Sequence, residues 1–465
     1  MNDAKDPAPN AAGEDAPRPL LSVSSAVMII AGIVMGGGIF AFPPLVATMA
    51  GSVRWMFAAW VTGAVLSLIG ALCYAELATL FPSAGGDYHF LTKAYGRDVS
   101  FFFAWARMTV VTTGAIALLA FIFGDHASRV LSLGSHSSAI HASIIVVALT
   151  GVNLLGLKES ARAQNVMSLA LIAGMAAVIM GGVLSPAGVS AAGSASPTAA
   201  AAATATAAVP AGVPPLFGTA LLFVLFTYGG WNEAAYISSE VRGGPRSIVR
   251  VLVLSLGLVT LVYLSFVFAL TTGLGFTQLA ASRAPAADVT ARAFGRFGEA
   301  AIGGLVALSA LKSINATMLV AARTNYALGQ DWTAFRFMSR WSGTRNTPIA
   351  AVLVTGGMSL ALVLFASISK SGVQAMVDFT APVFWFFFLL TGIALFVIRR
   401  RSPELHRPFE VPLYPVLPAI FCMTCAFLLY RSLVFTMENQ SVRISLYVMA
   451  AGILVWLGAR LRTAV

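Results

Sequence analysis

The sequence is poor in charge for its length. Only 10% of its 465 residues are charged, whereas 58% are hydrophobic. A water-soluble domain usually has charge on about a quarter of its residues, so this chain lacks the polar residues to cover a water-facing surface. The apolar residues occur in runs of about 20, long enough to cross the roughly 30 Å hydrocarbon layer of a bilayer as helices. The composition predicts an integral membrane protein.

Several motifs of catalysis and of energy coupling are missing from the sequence. There is no G-x-x-x-x-G-K-[ST] segment to cradle a nucleotide phosphate, which argues against an ATP-driven pump. The histidines form no H-x-x-x-H pair, and no carboxylate cluster suits a metal. Cys73, Cys422 and Cys425 all fall inside predicted helices, where we expect them to be packing residues. We therefore expect neither an enzyme nor a bound cofactor or metal.

The net charge of +11 is explained by where the basic residues lie, and it does not indicate nucleic-acid binding. With a cytoplasmic N-terminus, about 19 Lys and Arg residues fall on the inner side and about seven on the outer side. This bias follows the positive-inside rule and predicts that both termini are cytoplasmic. The helices that hydropathy predicts lie near 22–49, 55–80, 101–124, 139–157, 163–184, 215–239, 248–273, 299–323, 349–369, 374–398, 414–436 and 441–459.

The chain divides into two sets of five predicted helices, 22–185 and 215–398, and residues 399–465 add a cytoplasmic loop and two more helices. Residues 1–21 contain several prolines and acidic residues and lack the basic start of a signal peptide, which predicts a disordered cytoplasmic tail. Residues 186–214 are nearly all Ala, Ser, Thr, Gly and Pro, which predicts a flexible loop on the outer side.

Glycines interrupt the first helix of each set. Gly36, Gly37 and Gly38 fall in helix one, and Gly229 and Gly230 fall in helix six. Because the second set begins on the opposite side of the membrane, this pattern is typical of an inverted repeat with a substrate site where two broken helices meet. Freed amides at such a break favour a carboxylate, and freed carbonyls favour an ammonium. The pattern fits a zwitterion site, and close helix packing is the alternative explanation.

The residues around these breaks resemble a known family. Residues 36–40 (GGGIF) are similar to the G-[SAG]-G-I-F of the amino acid–polyamine–organocation (APC) superfamily, and residues 226–232 (FTYGGWN) to the F-x-Y-G-G-W-N of its L-type amino-acid transporter branch. Further matches follow in the same order along nearly the whole chain: YAEL at 74–77, PSAGGDY at 82–88, Glu240, Arg323 with Tyr326 and Asp331, and Arg407-Pro408-Phe409 with Val411-Pro412.

The resemblance implies an all-α polytopic membrane protein with a LeuT-like fold of twelve transmembrane helices, a 5+5 inverted repeat, and breaks in helices one and six. It also implies alternating access and the uptake or exchange of amino acids across the cell membrane. A polyamine or organic-cation exchanger is an alternative within transport, and a channel-like protein is a more distant one. The expected partners are an amino-acid substrate, the lipid bilayer and a proton, with no nucleic acid.

The same resemblance implies roles for residues at the two breaks. Amides of Gly37, Gly38 and Ile39 would bind the substrate carboxylate. The backbone near Ile33, Phe226 and Tyr228 would accept from its ammonium. Phe226 would also cover the substrate, and Trp231 and Asn232 would line the side-chain pocket unless they pack a helix contact. The full set is Ile33, Gly36, Gly37, Gly38, Ile39, Phe226, Tyr228, Gly229, Gly230, Trp231, Asn232 and Glu233.

One departure from the family pattern concerns a lysine. Relatives often have a lysine on helix five in place of a sodium ion, but Leu171 stands at the matching position here, and helix eight carries Lys312 instead. We expect Lys312 to supply that cation from the opposite wall and to exchange a proton during transport, with Ser309, Ser313 and Asn315 as hydrogen-bond partners. The alternative is a lysine that lines a wet vestibule.

Other charges in predicted helices are candidates because burying them in a membrane is costly. Glu233 would favour a cationic substrate if it faces the pocket, or it would line the outer vestibule. Glu76 is expected to pair with a basic loop residue. Arg107 and Arg431 have no assigned role, and Asp378 is at most a partner at an outer gate.

Overall fold

A computed structural model describes residues 20–83, 85–185, 216–282, 284–367, 372–436 and 440–463. The predicted tail (1–21), apart from its last two residues, and the predicted outer loop (186–214) lie outside the described residues. Nearly all of the described residues are helical. Their buried hydrophobic side chains form one continuous core cluster.

The helices occur in this order: α1 (Val23–Val34), α2 (Gly38–Ala41), α3 (Pro43–Ala50), α4 (Val53–Leu80), α5 (Asp87–Tyr95), α6 (Arg97–Ala106), α7 (Thr112–Val130), α8 (Ser137–Leu155), α9 (Leu157–Leu184), α10 (Phe217–Tyr228), α11 (Pro245–Leu274), α12 (Phe276–Ala281), α13 (Pro285–Asp331), α14 (Ile349–Ala366), α15 (Gly372–Arg401), α16 (Val416–Thr436) and α17 (Gln440–Thr463). A π-helical turn, Arg107–Val111, joins α6 to α7, and 3-10 segments occupy Trp231–Glu240 and Thr333–Ser339.

Ten helical segments in the described ranges are long and apolar enough to cross a membrane, which confirms a polytopic membrane protein. The first and sixth predicted helices are each broken at their glycines. Their leading halves, α1 and α10, have only 12 residues each, too short to span a bilayer alone. The count of twelve spans therefore stays a prediction.

Two boundaries differ from the hydropathy prediction because hydropathy detects only the lipid-depth part of a helix. The eighth helix was predicted over 299–323, but α13 extends to Asp331 and includes a bend at Gly295, which has a φ of 61°. The third was predicted over 101–124, but the helical run begins at Arg97 and contains the π turn. A wide π turn often marks a functional position in a helix.

At one end of the bundle the start of α1 is fixed to the end of the sixth helix. The Leu21 amide donates to the Glu240 carbonyl at 2.9 Å, and the Arg242 amide donates to the Leu21 carbonyl at 2.9 Å. Glu240 also forms a buried ion pair with Arg323 on α13. We call this end the Leu21 face, and these contacts close it.

Glu76 closes the same face from α4. Arg399, at the end of α15, donates to both of its carboxylate oxygens at 2.7 and 2.6 Å, and the Val411 amide donates to one of them at 2.7 Å. The expected pairing of Glu76 with a basic residue is confirmed. Arg431, for which the sequence indicated no role, donates to the Thr219 hydroxyl at 2.9 Å.

Candidate binding site at the two helix breaks

The first break follows directly from the glycine run. α1 ends at Val34, and the Gly36 amide turns back to donate to the Val34 carbonyl at 2.7 Å. The next helical turn begins at Gly38. The first amides of a helix have no carbonyl one turn before them, so the amides of Gly37, Gly38 and Ile39 are free of intrahelical partners. The break thus presents donors on one side and the last carbonyls of α1 on the other.

The second break depends on the backbone freedom of Gly230. Its φ of +107° is a conformation that L side chains rarely adopt, and it turns the chain from α10 into the 3-10 segment Trp231–Glu240. A β-carbon here would lie 2.7 Å from Cγ2 of Ile33 on α1. A β-carbon on Gly38 would lie 3.2 Å from the Thr227 hydroxyl. The two breaks therefore lie against each other.

Tyr263 on α11 joins the two breaks through one hydroxyl group. Its Oη lies 2.8 Å from the Val34 carbonyl and 3.2 Å from the Thr227 carbonyl, so it can donate to either. The residue is fully buried. Sequence reasoning missed it because it carries no charge, although a tyrosine in the middle of an apolar helix needs a hydrogen-bond partner.

The aromatic residues of the second break do not all face the same way. Phe226 is half-buried and packs edge-to-face on Trp385 of α15 with ring centroids 6.0 Å apart. The ring of Tyr228 points instead into the core, 5.2 Å from the ring of Tyr263. Only the backbone of Tyr228 is therefore available to the break, as the resemblance implied.

The sequence left two roles open for Trp231, lining the side-chain pocket or packing a helix contact. Its indole packs edge-to-face on Tyr74 at 5.2 Å and against Phe388 at 5.4 Å, and it fills the space above Gly70. The alternative that Trp231 packs a helix contact is the one observed. Asn232, the next residue, does line a cavity.

Lys312 lies at the carboxyl end of α1. Its ammonium donates to the carbonyl of Gly32 and, at 3.1 Å, to that of Met35. Ser313 donates to the Gly32 carbonyl at 3.1 Å, and Ser309 donates to the Met35 carbonyl at 3.0 Å. Lys312 is fully buried, so it does not line a wet vestibule.

The sequence linked two further residues, Leu171 and Asn315, to Lys312. Leu171, at the position where relatives often have a lysine, is fully buried. Asn315 was expected beside Lys312 but belongs to a separate polar group: it accepts from Asn153 at 3.1 Å and donates to the carbonyl of Ser160 and to Gln164, both at 3.3 Å. One turn further along α13, its amide thus faces α8 and α9.

Glu233, for which the sequence left open a role in cation selectivity or a place in the outer vestibule, is paired. Arg107, on the π turn, donates to both carboxylate oxygens at 3.0 and 2.8 Å. The guanidinium also stacks on the Tyr236 ring at 4.1 Å. A neutralised Glu233 gives no basis for cationic selectivity. The Asp378 side chain lies outside the described residues.

A small cavity of about 20 Å³ lies beside this ion pair, between α4, the π turn, the 3-10 segment and α15. Tyr74, Asp87, Arg107, Asn232 and Thr391 supply its polar lining, and phenylalanine rings supply much of the rest. Each of the five has a buried polar atom with no hydrogen-bond partner among the described residues. The space accommodates about one water molecule.

The sequence matches one protein family and several named relatives. The sequence model for "Amino acid permease" matches residues 21–458. The chain is 26% identical over 419 residues to the human b(0,+)-type amino acid transporter 1, covering 89% of this chain and 82% of the relative. It is 27% identical over 411 residues to the human cystine/glutamate transporter, covering 88% and 79%. It is 27% identical over 424 residues to the rat large neutral amino acids transporter small subunit 2, covering 89% and 76%.

Proposed function

The chain belongs to the amino acid permease family, and we propose that it is a secondary transporter that moves amino acids across the cell membrane by alternating access. The relatives are named as amino acid transporters. The Leu21 face would be the cytoplasmic end, in line with the basic bias of the loops there. In that orientation, closure of this face would keep substrate from entering from the cytoplasm.

The observation that supports this function best is the direct contact of the two breaks. Ile33 touches Gly230, and the Tyr263 hydroxyl reaches carbonyls of both breaks. We propose that the amides of Gly37, Gly38 and Ile39 bind the substrate carboxylate. The backbone carbonyls of Ile33, Phe226 and Tyr228 would bind its ammonium, because the Gly32, Val34 and Met35 carbonyls at the end of α1 already accept from other groups. Such a site recognises the part that all amino acids share and leaves selectivity to other residues.

Lys312 would be the resident cation at the end of α1. Each hydrogen-bond partner of its ammonium is a carbonyl acceptor, so the charged form fits the site and a neutral amine would satisfy it less well. Its positive charge also lies near the negative, carboxyl end of the α1 helix dipole, which is a favourable interaction. This arrangement favours a fixed cation over a proton carrier, and replacement by arginine separates the two because arginine stays charged.

Thermal stabilisation of the purified full chain tests the zwitterion site. A ligand that binds only the folded state at about 100 times its Kd stabilises it by about 2.7 kcal/mol. We expect stabilisation by one or more amino acids of a panel of the twenty, and none by the matching amine without the carboxylate or the matching acid without the ammonium. Equal stabilisation by the amine alone would favour an organic-cation exchanger instead.

A further inference from the structure

Asp87 is a buried carboxyl that the proposed transport site does not use. It begins α5 on the Leu21 side of the second break, and only 3% of its surface is exposed. The Tyr236 hydroxyl donates to Oδ2 at 2.5 Å, whereas Oδ1 has no hydrogen-bond partner among the described residues. A carboxylate normally accepts several hydrogen bonds when it is buried, so this environment is unfavourable for the ionised form.

The charges around Asp87 do not balance if it is ionised. The Arg107 guanidinium already forms a bidentate pair with Glu233, so its positive charge does not also neutralise Asp87. The other titratable groups that face it are the Tyr74 and Tyr236 phenols, and α15 contributes Thr391 and phenylalanine rings to the cavity lining. Arg97 and Tyr88 lie against Asp331 instead. The cluster of buried side chains would hold a net charge of −1.

A proton resolves both the charge and the missing hydrogen bond. A protonated Asp87 can donate into the cavity, where the Asn232 amide oxygen can only accept and the Tyr74 and Thr391 hydroxyls can either donate or accept. Burial raises the pKa of Asp87 above its ordinary value. The cavity of about 20 Å³ has room for a water molecule but not for a substrate ammonium or guanidinium with its stem.

We propose that Asp87 is a proton-binding site, occupied while the Leu21 face is closed and emptied to the cytoplasm when that face opens. Tyr236, its partner, lies on the 3-10 segment whose far end pairs with Leu21 and Arg323. Movement of α1 and this segment to open the face separates Tyr236 from Asp87 and admits water, in which the carboxylate is solvated. The opening step rests on the proposed function, but the proton site itself can be tested without substrate.

The direct test is infrared difference spectroscopy of the purified full chain during a pH titration. We expect the C=O stretch of a protonated carboxylic acid to disappear as the pH rises, and Asp87→Asn to lack this signal. Asp98→Asn is the matched control, because Asp98 is exposed and pairs with Arg460. Tyr236→Phe removes the bond that stabilises the ionised form, so the midpoint should move to higher pH.

The transport consequence is tested in proteoliposomes that contain the pH dye pyranine. A mixture of the twenty proteinogenic L-amino acids should acidify the lumen, and Asp87→Asn should lose the acidification but keep thermal stabilisation by amino acids. Retention of the infrared signal in Asp87→Asn would overturn the proton site. So would proton movement that is lost in Lys312→Arg but kept in Asp87→Asn. Absence of amino-acid binding in the unmodified protein would count against the transport function instead.

Discussion

Replacing Lys312 by methionine removes an ammonium that donates to the carbonyls of Gly32 and Met35, while Ser313 and Ser309 remain as donors to the same oxygens. A hydrogen bond from a charged group contributes about 1.5–3 kcal/mol. Because each carbonyl keeps one donor, we expect the two lost bonds together to contribute about as much as one such bond. The unwound backbone after α1 should therefore lose roughly 1.5–3 kcal/mol of stabilisation relative to other backbone conformations.

The fold itself should tolerate this change. Methionine has nearly the length of lysine and is apolar, and replacing a buried charge by an apolar residue of similar volume is often neutral or stabilising. We thus expect a melting temperature that is unchanged or raised, together with substrate affinity and uptake reduced by about 10- to 100-fold, the range that corresponds to the lost hydrogen-bond energy. Lys312→Arg, which keeps the charge, should lose less.

The assay combines thermal denaturation in detergent with labelled amino-acid uptake into proteoliposomes across a range of pH values. Uptake in Lys312→Met equal to that of the unmodified protein would refute the role of the ammonium at the break. A large fall in melting temperature with unchanged affinity would also refute it, since Lys312 would then be a structural residue alone.

Three further predictions address Gly230, Tyr263 and the Arg107–Glu233 ion pair. Gly230→Ala should reduce uptake strongly, because a positive φ costs about 1–2 kcal/mol for alanine and the new β-carbon meets Ile33 at 2.7 Å. Gly51→Ala is the control, because Gly51 also has a positive φ, 69°, and open space around its β-carbon. Tyr263→Phe should lower substrate affinity by about fivefold, the effect of one neutral hydrogen bond near 1 kcal/mol, with little change in thermal stability. Arg107→Met should destabilise the protein by about 3–5 kcal/mol because it leaves a buried carboxylate unpaired. Adding Glu233→Gln should restore most of that loss, and equal melting temperatures of single and double variants would contradict the pairing.

The parts of the fold that the sequence predicted correctly depend on local signals. The breaks at Gly36–Gly38 and Gly229–Gly230 were predictable because glycine clusters interrupt apolar runs, and Glu76 because a lone carboxylate near a helix end needs a basic partner. The twelve hydropathy segments gave the helix order but not the ends of α13, whose last turns lie beyond the apolar stretch.

The parts that could not be predicted depend on contacts between residues far apart in the chain. Arg107 and Glu233 are separated by 126 positions, and no local pattern pairs them. Trp231 sits in the same motif as Asn232, yet the two side chains point to different surroundings because the 3-10 segment turns successive residues by about 120°. Tyr263 and Asp87 acquire their roles only from the groups that the fold brings to them.

Counterflow in proteoliposomes tests the central claim most directly. The vesicles are loaded with an unlabelled amino acid from the set that stabilises the protein, and a trace of the labelled form is added outside. A carrier that binds the zwitterion between the two breaks should accumulate label transiently above its outside concentration, with saturation, and Gly230→Ala should abolish the effect. Label that only equilibrates, at a rate proportional to concentration without saturation, would show a channel and contradict the account.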